Sequence, residues 1–572
     1  MERTNYWTRR IRRRTLLTGS ATASAGLAGW ALAGCGDDDD NGGTGGNGST
    51  ETPGGVRPGT ATAPTPTVAG EQIKRDGIFN LRQSAPFANI SIYNGLDSGL
   101  YFGLITPIYD HLWYTPLDTG IRENFLAENI EQPDPLHFTV TLKEAVFQDK
   151  PPISGRKVTA NDVKASFEAA SQATKISNSS WWTQVLDKVD AVDERTVAFT
   201  LKAVDAWTFS TTNAGSPLAG SILPEEHAKD QGQLEKDPIG SGLFEFVSQE
   251  NGTNFALKRN ETYREKGRPN LAGYQYKLIQ EQAAALAAFS AKEIDSVVPG
   301  NKLERDQLTQ QHGDAVFPDL ELNRAVWMVQ PRGDGEWADP RVSQAISLAL
   351  NKDEMVELMG FGEGQASGPV PPTFASHALT EAEIAETFGR HDPVEAKALL
   401  DASGFDTTRE YQIKFITPGD SYAQFAQIVQ SHLDKHLGIK TKLVGEDFGK
   451  WLAQSLYGSD YDGFIVYPTL EYDDPSSYIG AYQLEIGGRP NWAGWENEAL
   501  NDIVVRQKAT LDDTERAKLV HDLQRQAWEV GAPFIPTFVR VSGSVYWKHV
   551  KGLVTGRGSY RYLAGSTYID KG

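Results

Sequence analysis

An α/β fold divided into two or three domains is what the sequence predicts, and three observations predict it. The chain has 572 residues, more than one core accommodates, since single cores stop growing at roughly 250–300 residues. Hydrophobic residues make up 39% and charged residues 23%, an ordinary globular balance. From Ile73 onward, segments with strand periodicity alternate with capped helix starts, the succession that builds α/β domains.

The elements follow in order. Thr106 to Leu112 precedes an aromatic pair, Trp113 and Tyr114. Leu136 to Leu142 alternates apolar and polar residues with period two, a half-buried strand. After a Pro/Gly loop at Pro151 to Gly155, Thr159 caps a helix whose Asp162 reaches back to it, a capping box. Asp339-Pro340 opens a second helix with Val342, Ala345, Ile346, Ala349 and Leu350 on one face. Asp392-Pro393-Val394-Glu395 opens a third, which runs through Leu399 and Leu400 and stops at Gly404. In both, Asp is the cap and Pro the first helical residue, where its missing N–H costs nothing.

The N-terminus is an address followed by a tether. Residues 1–34 combine an arginine-dense start with a soft apolar run from Leu16 to Gly34, the make-up of an export signal peptide. Arg13-Arg14-Thr15-Leu16-Leu17 resembles the twin-arginine signal, with Arg12 where a Ser is usual. Leu32-Ala33-Gly34-Cys35 resembles a lipobox, which implies a diacylglycerol on Cys35 after cleavage. Residues 35–70 continue through Asp37 to Asp40 into Gly/Thr/Ser/Pro-rich sequence, a flexible linker.

Charge and cysteine count exclude several functions. Fifty-five basic residues face 75 acidic ones, a formal charge of −20; the first 34 residues carry six Arg and one Glu, so the remainder carries −25. Such a surface repels phosphate backbones, so no nucleic-acid partner is expected. Cys35 is the one cysteine, which excludes internal disulfides and CxxC metal or redox sites. The ten histidines read as scattered, so no metal site and no cofactor are expected. No G-x-S-x-G elbow, H-E-x-x-H helix or phosphate-binding G-x-x-x-x-G-K-[ST] occurs. Gly360-Phe361-Gly362-Glu363-Gly364 follows a helix and reads as its stop, and Asp473-Asp474-Pro475 reads as a turn. The chain is therefore read as not an enzyme.

The same segments carry a family resemblance. "HFTVTLKEAVFQDKPPISGRKVTANDVKASFEA" from His137, "DPIGSGLFEF" from Asp237, "LKRNETYREKGRPNL" from Leu257 and "FSAKEID" from Phe289 are collinear with it. So are "DPRVSQAISLALNKDEMV" from Asp339, "DPVEAKALLDASGF" from Asp392, "YDGFIVYPTLEYDDPSSYI" from Tyr461 and "NWAGWENEALNDIV" from Asn491. Together they resemble the extracellular solute-binding proteins of peptide/nickel/opine-type ABC importers, from about Phe87 to Leu553. Two departures stand out: Gly240 to Phe244 replaces the family's G-T-G-P-Y, and Tyr467-Pro468 replaces a Gly-Trp beside the ligand cavity.

The resemblance implies a two-lobed periplasmic-binding-protein fold with an extra domain, a hinge of two crossing strands and a cleft between the lobes. A first domain would comprise 71–118, 219–328 and 536–572, a second 119–218 and a third 329–535. The crossing strands would lie near Leu322 to Gln330 and Phe534 to Val541, with hinges near Gln330 and Phe534. Implied too are a peptide ligand, delivery to ABC permease subunits, ligand-driven lobe closure, and a monomer on the outer face of the cytoplasmic membrane. An oligosaccharide, opine or other small solute in the same fold is the alternative, and an extracellular hydrolase the second. Relatives place an amine-binding Asp where this chain has Glu471, and Tyr467, Trp327, Trp492 and Trp495 are candidate wall aromatics.

Overall fold

Two long strands, Glu321–Pro331 and Ile535–Ser542, pair antiparallel and tie the molecule together. The computed structural model describes residues 73–84, 90–93, 103–115, 122–173, 181–210, 213–216, 219–250, 252–417, 419–486, 489–553 and 565–571. The signal peptide, Cys35 and the linker lie outside the described residues.

Those strands are central in a six-stranded sheet whose order is Gln365–Ala366, Ile535–Ser542, Glu321–Pro331, Gly463–Pro468, Glu410–Thr417, Lys440–Asp447. Their near-continuous apolar runs reflect burial on both faces. Side chains alternate accordingly. Trp327, Val329, Phe464 and Val466 face helices Pro340–Ala349, Pro393–Ser403 and Asp420–Leu437. Val326, Met328, Ile465 and Tyr467 face helices Glu498–Ala509 and Asp513–Glu529. Glu410–Thr417 and Lys440–Asp447 run parallel, joined by Asp420–Leu437 as a crossover helix.

The N-terminal half builds two further sheets over one shared core. One orders Ile78–Gln83, Gly273–Leu278, Asn254–Arg259 and Phe244–Glu250; the other orders Ala127–Asp134, His137–Leu142, Thr196–Leu201 and Leu186–Ala191. The chain thus leaves the first sheet after one strand, completes the second, and returns. A three-stranded sheet of Ser296–Val297, Val545–Trp547 and Ala315–Val316 is capped by Phe289, stacked on Trp547 with ring centroids 4.3 Å apart.

The local expectations hold at the caps. Thr159 N–H donates to Asp162 Oδ2 at 2.8 Å. Arg341 N–H donates to Asp339 at 2.9 Å and Glu395 N–H to Asp392 at 3.0 Å. Gly404 ends the third helix with φ 75°, a left-handed cap that glycine adopts without a Cβ penalty.

The two strands expected to cross are present, and the residues named as hinges are buried within them or beside them. Gln330 is fully buried, donating to Tyr461 Oη at 3.1 Å and accepting from Tyr467 Oη at 2.7 Å. Phe534 packs on Tyr482 and Trp495. Both sit inside the body built around the six-stranded sheet. The chain passes from the three-stranded to the six-stranded sheet at 317–320 and returns at 543–544. An apolar run flanked by Pro or Gly reports a buried strand here.

Candidate functional site

The pairing of the two long strands is irregular where they approach the crossing. Leu322 opposes Val541 and Val326 opposes Val539, four steps along one strand against two along the other. Asn323, Arg324 and Ala325 therefore bulge opposite Arg540. Bulges re-aim side chains and concentrate at functional sites.

Glu471 lies on one flank of this bulge. After strand Gly463–Pro468 the chain follows the neighbouring strand toward the crossing: Thr469 N–H donates to Val326 O at 2.8 Å. Glu471 Oε1 accepts from Arg324 N–H at 3.3 Å, and its side chain stays exposed. Arg324, only 5% exposed, donates from Nη1 to Tyr472 O at 2.9 Å and lies 4.3 Å from the Phe374 ring centroid.

Arg540 lies on the other flank. Its guanidinium carbon is 5.7 Å from the Trp327 ring centroid. Trp327, 2% exposed, stacks on Phe538 at 6.0 Å and meets Phe425 and Tyr422 at 4.9 and 5.9 Å. Burial lowers the Arg540 pKa, opposed by the nearby Tyr422 and Glu471.

A third group of contacts joins the N-terminal half to the segment after Glu471. Ser210 Oγ donates to Asp473 Oδ1 at 2.7 Å, and Ala206 N–H to Lys508 O at 2.7 Å. Lys508 Nζ lies 5.5 Å from the Trp207 ring centroid and donates to Gln483 at 3.0 Å. Beneath, Arg516 forms a buried ion pair with Asp474 and donates to Ser476 Oγ at 2.7 Å and Gln507 Oε1 at 3.1 Å. Asp473-Asp474 is thus more than a turn: its first carboxylate meets the other half of the molecule and its second neutralises a buried guanidinium. Burial pushes the Asp205 carboxyl up to about 6, with Lys508 opposing the shift.

The structure brings Glu471 and Trp327 to opposite flanks of one bulge, and does not bring the other candidates to it. Tyr467, 7% exposed, points to the opposite sheet face from Trp327 and packs on Trp451 at 5.4 Å. Trp492 packs on Tyr457 and Trp495 on Phe534, beside Gly333, whose N–H donates to Ala493 O. Nine residues of extended chain separate Gly333 from Arg324, roughly 25–30 Å. The Trp327 ring is enclosed by its neighbours Phe538, Phe425 and Tyr422.

Arg540, Arg324 and the 205–210 segment escaped sequence reasoning. A lone Arg inside the apolar run Phe534 to Val541 was the signal available for the first. The histidines are less scattered than the reading had them: His432 and His436, four residues apart in one helix, lie with ring centroids 5.9 Å apart, and His391 meets His436 at 5.3 Å. Even so, no group of three or more His, Cys, Asp or Glu suited to a metal occurs among the described residues.

Comparison with known proteins places this geometry. Residues 123–487 match the family described as "Bacterial extracellular solute-binding proteins, family 5 Middle". The probable D,D-dipeptide-binding periplasmic protein DdpA of Escherichia coli (strain K12) is 28% identical over 434 residues, 74% of this chain and 80% of its own length. The ABC transporter-associated periplasmic binding protein DppA of Helicobacter pylori, in complex with peptide STSA, superposes with TM-score 0.74 at 21% identity, covering 87% of this chain and 99% of its own. AgaA of A. tumefaciens R10, in complex with agropinic acid, gives 0.73 at 23% identity over 87% and 99%. These neighbours share a two-lobed fold of mixed helices and sheets. With the family match spanning more than half of its length, the chain belongs to the bacterial extracellular solute-binding proteins of family 5.

Proposed function

We propose that this chain is a lipid-anchored, extracytoplasmic peptide-binding protein that hands its ligand to an ABC importer after its two lobes close. The observation that carries the reading is Glu471: an exposed carboxylate held by a backbone N–H at the strand crossing, two residues from the Ser210–Asp473 contact between the halves. DdpA and the Helicobacter DppA complex, named for peptides, support it. AgaA with agropinic acid supports the second reading, an opine-like solute in the same fold. Calorimetric titration with an amine-bearing tripeptide and its N-acetylated form tests the proposal. Binding of the free amine alone is expected, and equal binding of the two overturns the peptide reading.

The anchor follows from the Leu32 to Cys35 motif. Acyl chains gain about 0.8 kcal/mol per buried CH₂, so two or three chains hold a protein stably. Cys35→Ser is expected to leave the body folded and to move it from the membrane to the soluble fraction, which fractionation and blotting read. Among the described residues no helix is long and apolar enough to cross a membrane.

Closure should depend on pH through Asp205. It is faced by Lys508, Asp474 and Arg516, and by Thr208 and Asn213 on its own segment. Its carboxyl sits at about 6 when the halves touch and would return to about 3.9 when they part. A raised carboxylate pKa favours the protonated form, so the closed arrangement takes up a proton. It gains as pH falls through about 6 and the gain is complete below about 4. Peptide affinity should rise by up to about tenfold from pH 7 to pH 5, and Asp205→Asn should flatten that profile. An unchanged slope in the variant overturns this assignment.

A further inference from the structure

The histidines that the fold gathers lie far from Glu471. Helix Asp420–Leu437 starts just after strand Glu410–Thr417 and finishes just before strand Lys440–Asp447. Both strands run parallel to Gly463–Pro468, from whose C-terminal end the chain leads to Glu471. The last turn of the 18-residue helix, which carries His436, is therefore at the opposite end of the sheet, roughly 25 Å along the helix axis.

The three rings differ in what they have free. His432 is 3% exposed and both of its nitrogens are engaged. Its Nδ1 accepts from Asn351 N–H at 3.3 Å, so its Nε2 carries the proton and donates to Glu354 Oε2 at 3.1 Å. His391 has one nitrogen engaged: Nδ1 donates to Leu348 O at 3.1 Å. A carbonyl can only accept, so the proton of neutral His391 sits on Nδ1 and the Nε2 lone pair is open. Metal-binding imidazoles are held in this way, with one ring N–H fixed by a carbonyl or carboxylate and the other nitrogen bare. His391 is exposed and His436 half-buried, and among the described residues no hydrogen bond occupies the His436 ring.

The spacing fits as well. Imidazole nitrogen binds zinc at about 2.0–2.1 Å, which puts each ring centroid about 3.2 Å from the ion and two rings at a tetrahedral angle about 5.2 Å apart. The His391 and His436 centroids are 5.3 Å apart, with ring planes inclined at 73°. The Glu354 charge, anchored by His432, acts on His436 in favour of a cation, and the neighbouring Lys435 acts against it.

We infer that His391 and His436 form a two-histidine site for a divalent first-row transition ion, with zinc as its probe and water completing the coordination. Imidazole suits zinc, copper and nickel, whereas magnesium and calcium take oxygen ligands. Among the described residues no further His, Cys, Asp or Glu completes a set of three, so water has room to bind. The site joins the segment that leads into helix Pro393–Ser403 to the last turn of helix Asp420–Leu437. An ion that binds only the folded chain stabilises that junction. The assignment is independent of the ligand read at Glu471.

The full chain without a histidine tag, carrying Cys35→Ser so that no thiol competes, is titrated calorimetrically with zinc chloride at about pH 7.5, where imidazole is neutral. One zinc per chain is expected. His391→Gln, whose amide can still donate to Leu348 O, and His436→Gln should each weaken binding at least about tenfold, the least that even an outer partner of a metal site is worth. The double variant should lose little more than either single one, since two ligands of one ion act as a unit. His137→Gln, which alters an exposed histidine elsewhere, should change nothing. Excess zinc should raise the urea midpoint of the parent chain but not of either variant, and a chelator should reverse the rise. Carbethoxylation of the parent chain read by mass spectrometry needs no substitution: zinc should protect His391 and His436. Zinc that binds the parent chain and both variants alike is adventitious and overturns the inference, as does an absence of binding or protection of neither ring.

Discussion

Asp474→Asn should destabilise the protein by about 3–5 kcal/mol, because it strands Arg516 in the interior. Arg516 is 6% exposed, and its remaining partners, Ser476 and Gln507, are neutral. Loss of the carboxylate leaves a buried guanidinium without its paired charge, offset only by the more distant Asp513 and Asp205, and the polar groups left behind keep it solvated only in part. The helix that starts at Ser476 should suffer as well, since Ser476 N–H donates to Asp474 Oδ1 at 2.8 Å. Removing both charges is expected to cost less than removing one. Asp474→Asn with Arg516→Met should recover a substantial part of the loss, because an ion pair replaced by neutral residues of similar volume is often tolerated. Urea unfolding followed by tryptophan fluorescence reads both variants. A loss below about 1 kcal/mol for the single change would mean that the pair is solvated.

Glu471→Gln should lower affinity for an amine-bearing peptide by about 2–4 kcal/mol while leaving the stability of the empty protein nearly unchanged. In the ligand-free structure Glu471 spends one oxygen on a single N–H, Arg324's, at 3.3 Å. An amide oxygen can accept that bond equally well, so folding loses little. An ammonium group enclosed between the lobes loses its counter-charge, and burial makes that loss large. Calorimetric titration of the variant gives the first quantity and urea unfolding the second. An affinity change below about 0.5 kcal/mol would assign Glu471 to the solvated surface.

The two variants probe neighbouring carboxylates in opposite surroundings, one buried and one exposed, and nothing in "EYDDP" distinguishes them. Asp474 holds the fold because Arg516 arrives from a helix 42 residues later. Glu471 keeps its carboxylate exposed because the strand beside it, 147 residues earlier, offers only a backbone N–H. Asp473 meets Ser210, 263 residues away.

What the sequence determined by itself is what local physics determines. Thr159 with Asp162, Asp339 with Pro340 and Asp392 with Glu395 cap helices because every partner lies within three residues. The alternation at His137–Leu142 and the uninterrupted apolar run at Gly463–Pro468 separate a half-buried strand from a fully buried one. The collinear motifs add the family, since their order along the chain is itself sequence information. Tertiary structure alone decided which face each aromatic presents and where two strands fall out of step. It put Tyr467 and Trp327 on opposite sides of one sheet, carried Trp492 and Trp495 to the sheet's far end, and set three residues of one long strand opposite Arg540 of the other. The reason is that register and burial are set by contacts between residues hundreds of positions apart, and a shift of one residue in a strand moves a side chain to the other face.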